Sequence, residues 1–283
     1  MNKTGKIAFQ GELGANSHIA CVQAFPHLDP LPCRTFEQAL NVIADGSAEI
    51  GMIPIENSVA GRVGDIHHLL PGAGLYIRGE FFLPLHHQLL GLKDVSIDDI
   101  KTVHSHIVAL DTCRKIIREL DLEPVVSVDT AAAAKMVSQE NDPTKAAIAS
   151  KLAAEVYGLK VLRENVEDEE HNTTRFLILS KEPDDAEPDE EHVVTSFVFK
   201  VRNVPAALYK ALGGFATNNV NVTKLESYQL EGAFTATQFY ADIEGHPANR
   251  SVRLALEELE FYTTELNVLG IYKAHPFRTA QRG

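Results

Sequence analysis

The sequence predicts an α/β chain in two parts, an amino-terminal region of alternating strands and helices and a carboxy-terminal βαββαβ domain. Three observations carry this. Short apolar runs alternate with amphipathic stretches up to about residue 180, which is the rhythm of crossover-linked strands. From Glu182 to Glu191 seven of ten residues are Asp or Glu and two are Pro, so the segment reads as an extended, solvated linker. After it, β-branched and aromatic runs flank two longer helical patterns. The 283 residues are enough for two domains.

In the first part, strands are expected at Ile7–Phe9, Ile50–Ile53, Leu75–Leu83, Lys101–Val103, Pro124–Val128, Ala146–Ala149 and Phe176–Leu179. Helices are expected at Ser17–Phe25, Phe36–Ile43, Ala109–Leu120, Ala131–Val137 and Lys151–Tyr157. A parallel sheet accounts for this order. In the second part, His192–Arg202 reads as a strand and Ala206–Ala216, after Pro205, as a helix. Strands Val220–Leu230 and Phe234–Ile243 flank a Glu231-Gly232 turn. Helix Ala248–Thr263 and strand Leu266–Tyr272 complete an antiparallel sheet with both helices on one face.

Composition narrows the function. With 26 basic and 39 acidic residues the formal charge is −13, and no basic patch is evident, so neither nucleic acid nor an anionic membrane is an expected partner. More than half of that net charge sits in the linker. The apolar stretch at the amino terminus is too short for a signal core, and no run reaches the roughly 18 residues of a membrane span. Cys21, Cys33 and Cys113 form neither a disulfide framework nor a zinc motif. A reducing cytoplasm is the expected compartment. The 12 histidines include His67-His68 and His86-His87 but no metal-ligand spacing, so no metal is expected.

Polar clusters lie at the ends of expected strands. Gly11 to Ser17 offers exposed amides at a helix start, where a carboxylate can be received, or else a purely structural turn. In Glu56-Asn57-Ser58, Glu56 can orient a substrate hydroxyl or pair with an arginine, and Asn57 and Ser58 can donate to carboxylates; a capped turn is the other reading. Ser105 and Thr130 can each cap a helix and place amides beside an anion. Finally, Asn172-Thr173-Thr174-Arg175-Phe176 joins an amide, two hydroxyls, a fixed cation and an aromatic ring at a strand start. Arg175 can hold a carboxylate bidentately, whereas Thr174 is a hydrogen-bond donor rather than a proton source.

Together, in this order, Gly11 to Ser17, Pro54 to Ser58 with Gly61, Ser105-His106, Asp129-Thr130-Ala131 and Asn172 with Thr174-Arg175-Phe176 resemble the prephenate dehydratase family. The resemblance covers nearly the whole chain. It implies a catalytic region at residues 1–181, with two α/β subdomains like a periplasmic binding protein and the active site between them. A linker at 182–191 and a ferredoxin-like ACT regulatory domain at 192–283 follow. The implied reaction converts prephenate to phenylpyruvate without a cofactor, in an enzyme that assembles as a homodimer or homotetramer and is inhibited by phenylalanine.

The resemblance gives Thr174 the departing hydroxyl, and Arg175 a substrate carboxylate or the electrostatic ordering of the pocket. Glu56 either orients the hydroxyl or holds Arg175. Asn57, Ser58, Ser105, Thr130 and Asn172 shape the polar cleft, and Phe176 encloses the ring. Effector binding is implied for Ala207, Leu208, Asn221, Glu226 and Ser227. Three departures stand out: Ile107-Val108 replaces the family's common Pro-Gln, Pro205-Ala206-Ala207-Leu208 replaces the commoner Gly-Ala-Leu type of segment, and Glu226-Ser227-Tyr228-Gln229 matches Glu-Ser-Arg-Pro only in its first half. Arogenate dehydration and a non-catalytic anion or amino-acid sensor are the alternatives.

Overall fold

The computed structural model describes residues 5–169, 171–229 and 236–280. They form two compact units, one of residues up to Ile66 with Phe81–Phe176, the other of His67–Glu80 with the chain from Leu177 onward. This division differs from a cut at the acidic linker, because a stretch from the first half of the chain belongs with the second unit.

The chain begins with β1 (Lys6–Gln10), α1 (Asn16–Ala24), β2 (Asp29–Cys33), α2 (Phe36–Ala44), β3 (Ile50–Asn57), the short β4 (Gly61–Arg62), α3 (Gly64–Leu69) and β5 (Tyr76–Pro84). β1 pairs in parallel with β2 and β3, which requires the crossover helices α1 and α2. β2 was hidden in the sequence by its two prolines; it is tolerated because it lies at the sheet edge. Ile7, Ala8 and Phe9 are all buried, as a parallel strand covered on both faces should be.

A second sheet then forms from β6 (Gln88–Gly91), β7 (Thr102–Ser105), α4 (Ile107–Asp111), α5 (Arg114–Glu119), β8 (Glu123–Val126), α6 (Thr130–Glu140), β9 (Lys145–Ala149), α7 (Lys151–Tyr157) and β10 (Lys160–Arg163). Its order is β10-β6-β9-β7-β8. The chain returns through β11 (Thr173–Ser180) to complete the first sheet, β2-β1-β3-β11-β5. There are thus two sheets, one for each of the α/β subdomains that the resemblance implies, and they are not wholly parallel, because β6 and β10 run antiparallel to their neighbours. The helix expected at Ala109–Leu120 is broken in two. The Thr112 hydroxyl donates back to the Ala109 carbonyl, and the Asp168 carboxylate accepts the Arg114 and Lys115 amides at 3.0 Å, starting a new helix from outside the segment.

The two crossovers between these sheets are tied together. The Leu85 amide donates to the Asn172 carbonyl at 2.7 Å, the Val166 amide to the His87 carbonyl at 2.9 Å, and the His87 amide to Glu167 Oε2 at 2.9 Å. His87 is 3% exposed and its Nδ1 has no partner among the described residues. Burial lowers its pKa below 6.5, opposed by the charge of Glu167 and aided by His86. On acidification through that value the unfolded chain takes up a proton that the folded chain does not, so stability falls. Melting temperatures should therefore drop between about pH 7 and 5, with a shallower slope in a His87→Leu variant. An identical slope in both proteins would show that His87 is not responsible.

The second unit is built on β12 (Val193–Val201), α8 (Ala207–Thr217), β13 (Val222–Gln229), β14 (Ala236–Glu244), α9 (Arg250–Tyr262) and β15 (Thr263–Lys273), followed by α10 (Pro276–Ala280). The antiparallel sheet β13-β14-β12-β15 carries α8 and α9 on one face, over a core that includes Phe197, Phe199, Phe215, Phe239 and Leu259. This is the βαββαβ fold the sequence predicts. Gly214 lets the helices cross closely, since a Cβ there would sit 2.7 Å from the Glu258 Cβ. The expected Glu231-Gly232 turn, with Leu230 and Phe234, lies outside the described residues. The acidic segment is exposed but not free: the Ala186 amide donates to the Ile271 carbonyl at 2.8 Å, and Asp184 pairs with Arg78.

Candidate active site

A cavity of about 410 Å³ opens in the first unit, of a size suited to a small metabolite. One wall comes from the turn after β1 and the start of α1 (Gly11, Ala15, Asn16, Ser17), with Pro54 and Asn57 from β3. His106, Val128, Asp129 and Thr130 line it from the second sheet, beyond the carboxyl ends of β7 and β8. Ligands commonly bind outside strand carboxyl ends in open α/β sheets. Thr174 and Phe176 come from the amino end of β11.

The turn geometry depends on glycine. Gly14 has φ of 91°, and a Cβ there would lie 2.7 Å from the Ala153 Cα. The helix that follows has Ala15 as its N-cap, which offers no side-chain cap, so the Asn16 and Ser17 amides of α1 keep their capacity to receive an anion.

Around Thr174 the hydrogen bonds fix a direction. Asn57 Nδ2 donates to Asn172 Oδ1 at 2.7 Å and to Thr174 Oγ1 at 3.0 Å, while its Oδ1 accepts the Val59 and Ala60 amides. The Asn57 amide is therefore saturated. Thr174 is 8% exposed, and its hydroxyl hydrogen has no acceptor among the described residues. Ser58 Oγ donates to the His171 carbonyl and accepts the Thr173 amide, which fastens the start of β11.

Strand alternation separates the next residue from this wall. Thr174 and Phe176 line the cavity, so Arg175 between them projects from the opposite face of β11. It is 3% exposed, and its Nη1 donates to Glu56 Oε1 at 2.9 Å. Glu56 thus holds Arg175 in the structure, and neither residue lines the cavity.

Two sequence expectations need correction. Ser105 was expected to cap a helix and shape the cleft, but it is fully buried and donates to the Ile148 carbonyl at 2.6 Å. It belongs to the interior of β7, and the next residue, His106, is the one that caps α4 and reaches the cavity. Thr130 does line the cavity, but Asp129 caps α6 by accepting the Ala132 amide at 2.7 Å. Ser58 and Asn172 stand behind the wall rather than in it. Gln10, Phe36, Val63 and Val128 also line it and carried no sequence signal, while Asn16, Ser17, His106 and Asp129 entered the sequence reading only as members of motifs, without a role of their own. The positions of His106 and Asp129, immediately beyond strand ends, were the available signal.

The remaining titratable side chains fit a noncovalent site. All three cysteines are buried and unpaired, and burial raises each thiol, that of Cys113 to about 12. Among the described residues no three His, Cys, Asp or Glu side chains converge as a metal site, and no helix is long and apolar enough to cross a membrane.

The effector candidates lie in the second unit. Ala207 and Leu208 line a cavity of about 260 Å³ with Val201, Arg202 and Phe239. Asn221, Glu226 and Ser227 instead lie on or beside β13, at the edge of the sheet, where Glu226 Oε1 accepts Lys224 Nζ at 3.0 Å. They do not line that cavity among the described residues.

Comparison with known proteins identifies the architecture. The family model described as prephenate dehydratase matches residues 7–184. The chain belongs to the prephenate dehydratase family. A relative from Komagataeibacter europaeus, the bifunctional N-acyl-homoserine lactone acylase/prephenate dehydratase, is 51% identical over 98% of this chain and 99% of its own. Arogenate dehydratase/prephenate dehydratase 1 of Arabidopsis thaliana is 37% identical over 94% of this chain and 71% of its own. Among solved structures, the prephenate dehydratase of Arthrobacter aurescens in complex with L-Phe superposes with a TM-score of 0.85. It is 29% identical, covering 95% of this chain and 90% of its own.

Proposed function

We propose that this member of the prephenate dehydratase family converts prephenate to phenylpyruvate in phenylalanine biosynthesis, with residues 1–181 as the catalytic region, 182–191 as connector and 192–283 as an ACT regulatory domain. The observation that carries the reading is the Thr174 hydroxyl, oriented by Asn57 and with its hydrogen available to the cavity.

Prephenate carries two carboxylates on a cyclohexadienol ring. Departure of one carboxylate as carbon dioxide leaves an electron pair that aromatises the ring and expels the hydroxyl, which leaves as water after gaining one proton. Charge develops on the leaving oxygen, so a preset donor aimed at that atom accelerates the step without a covalent intermediate. Thr174 is that donor, and the required proton comes ultimately from solvent. Asn57 positions Thr174, and Asn172 and Ser58 hold this arrangement from behind. The α1 amides and Thr130 receive the carboxylate that is retained, while Phe176 encloses the ring. The Glu56–Arg175 pair orders the back of β11.

Phenylalanine acts as effector through the second unit. The candidates divide between the Ala207–Leu208 cavity and the β13 edge, and a second copy of the chain completes the site in a homodimer or homotetramer. A cytoplasmic setting fits the three free thiols.

The test is to incubate purified protein with prephenate, with and without phenylalanine. Phenylpyruvate should form faster than in the spontaneous reaction, and added phenylalanine should slow it. No acceleration above the spontaneous rate would refute the catalytic reading in favour of a sensor, and indifference to phenylalanine would refute the regulatory one.

A further inference from the structure

The described residues that line the cavity include one carboxylate, Asp129, and no lysine or arginine, so the charge of a dianion has to be met by neutral donors. Asn57 is saturated, and Thr174 has the leaving hydroxyl. From the junction of β7 and α4 one side chain among the described residues reaches the cavity, that of His106. Ile107 and Val108, which stand where the family commonly has Pro-Gln, are 47% and 36% exposed and do not line it.

The ring of His106 has a fixed polarity. Its Nδ1 accepts the Val108 amide at 3.3 Å as the N-cap of α4, so in the neutral imidazole the hydrogen sits on Nε2. Nε2 has no hydrogen-bond partner among the described residues. The cap thus leaves an N–H donor available in a ring that lines the cavity, on the same side as Thr130.

We infer that His106 is a substrate-binding residue that donates Nε2–H to the carboxylate retained in the product, beside Thr130. The inference rests on the reading of the cavity as the active site and deepens it. A donor to the departing carboxylate would stabilise charge that decarboxylation has to disperse, and so oppose the step. The retained carboxylate is common to prephenate and phenylpyruvate. A bond to it is made equally before and after the chemistry, so it lowers KM and leaves kcat nearly the same.

Asparagine and glutamine each reproduce one ring nitrogen. His106→Asn keeps an acceptor for the Val108 amide but falls short of the Nε2 position, whereas His106→Gln carries its amide nitrogen near that position and is a poorer cap. Phenylpyruvate binding by titration calorimetry and steady-state kinetics with prephenate are measured for both, with melting temperature as the check on folding. His106→Asn should weaken phenylpyruvate binding and raise KM by about tenfold or more, the range for a hydrogen bond to a charged group, with little change in kcat or melting temperature. His106→Gln should recover most of that affinity despite a lower melting temperature. Unchanged phenylpyruvate affinity in folded His106→Asn overturns the inference. So does a loss of affinity that follows melting temperature across the two variants, the mark of a purely structural cap; prephenate dehydration survives either result. A wild-type protein that neither accelerates prephenate dehydration nor binds phenylpyruvate would remove the catalytic reading and this inference with it.

Discussion

Thr174→Ala should lower kcat on prephenate by about 10²–10³-fold, the range for removing a single preset donor to developing oxyanion charge. KM should change far less, because the hydroxyl acts on an atom whose charge appears only in the transition state. Folding should be nearly unaffected. Asn57 Nδ2 retains Asn172 Oδ1 at 2.7 Å and the Thr173 carbonyl at 3.3 Å as acceptors after the hydroxyl is gone. Thr174→Ser keeps the donor but frees its rotation, so it should recover part of the lost rate. Single-turnover measurements with saturating prephenate separate chemistry from product release. A folded Thr174→Ala protein with unchanged kcat would remove Thr174 from the reaction, and a loss confined to KM would make it a ground-state binding group.

The sequence made the motif order readable but not which face each residue occupies. Thr174, Arg175 and Phe176 are contiguous, so they read as one cluster; the pleat of β11 divides them, sending Arg175 to Glu56 and leaving the other two at the cavity. Ser105 and His106 show the same effect at the end of β7, where one residue of register moves a side chain from the interior to the cavity. In the second unit the apolar periodicities were strong, and the βαββαβ order follows from them directly. Elements without such a signal were missed. β2 contains two prolines, β6 and β10 are only four residues each, and the break before α5 is created by Asp168, more than fifty residues downstream. Interactions of that separation leave no local trace.

Arg278→Ala should destabilise the full chain by about 3–5 kcal/mol, the usual cost of removing one partner from a buried ion pair. Arg278 donates to Glu80 through Nε at 2.7 Å and Nη2 at 2.9 Å, and to Asp242 Oδ2 through Nη2 at 3.3 Å. Both carboxylate side chains are fully buried, and Ser196 Oγ already donates to the other Asp242 oxygen at 2.6 Å. Without the guanidinium, two desolvated anions lose their shared cation. Denaturant unfolding should show the loss as a lower midpoint. Arg278→Lys should recover only part of it, since an ammonium cannot reproduce the two-nitrogen fork on Glu80. Adding Glu80→Gln to Arg278→Ala should recover stability by removing one of the two buried charges that faced the guanidinium, and failure to do so would mean that packing rather than charge sets the cost. Glu80 belongs to the second unit but lies outside residues 192–283, so a fragment started at residue 192 retains Asp242 and Arg278 but loses Glu80. It should therefore unfold at lower denaturant than the same unit does within the full chain, where Glu80 is present.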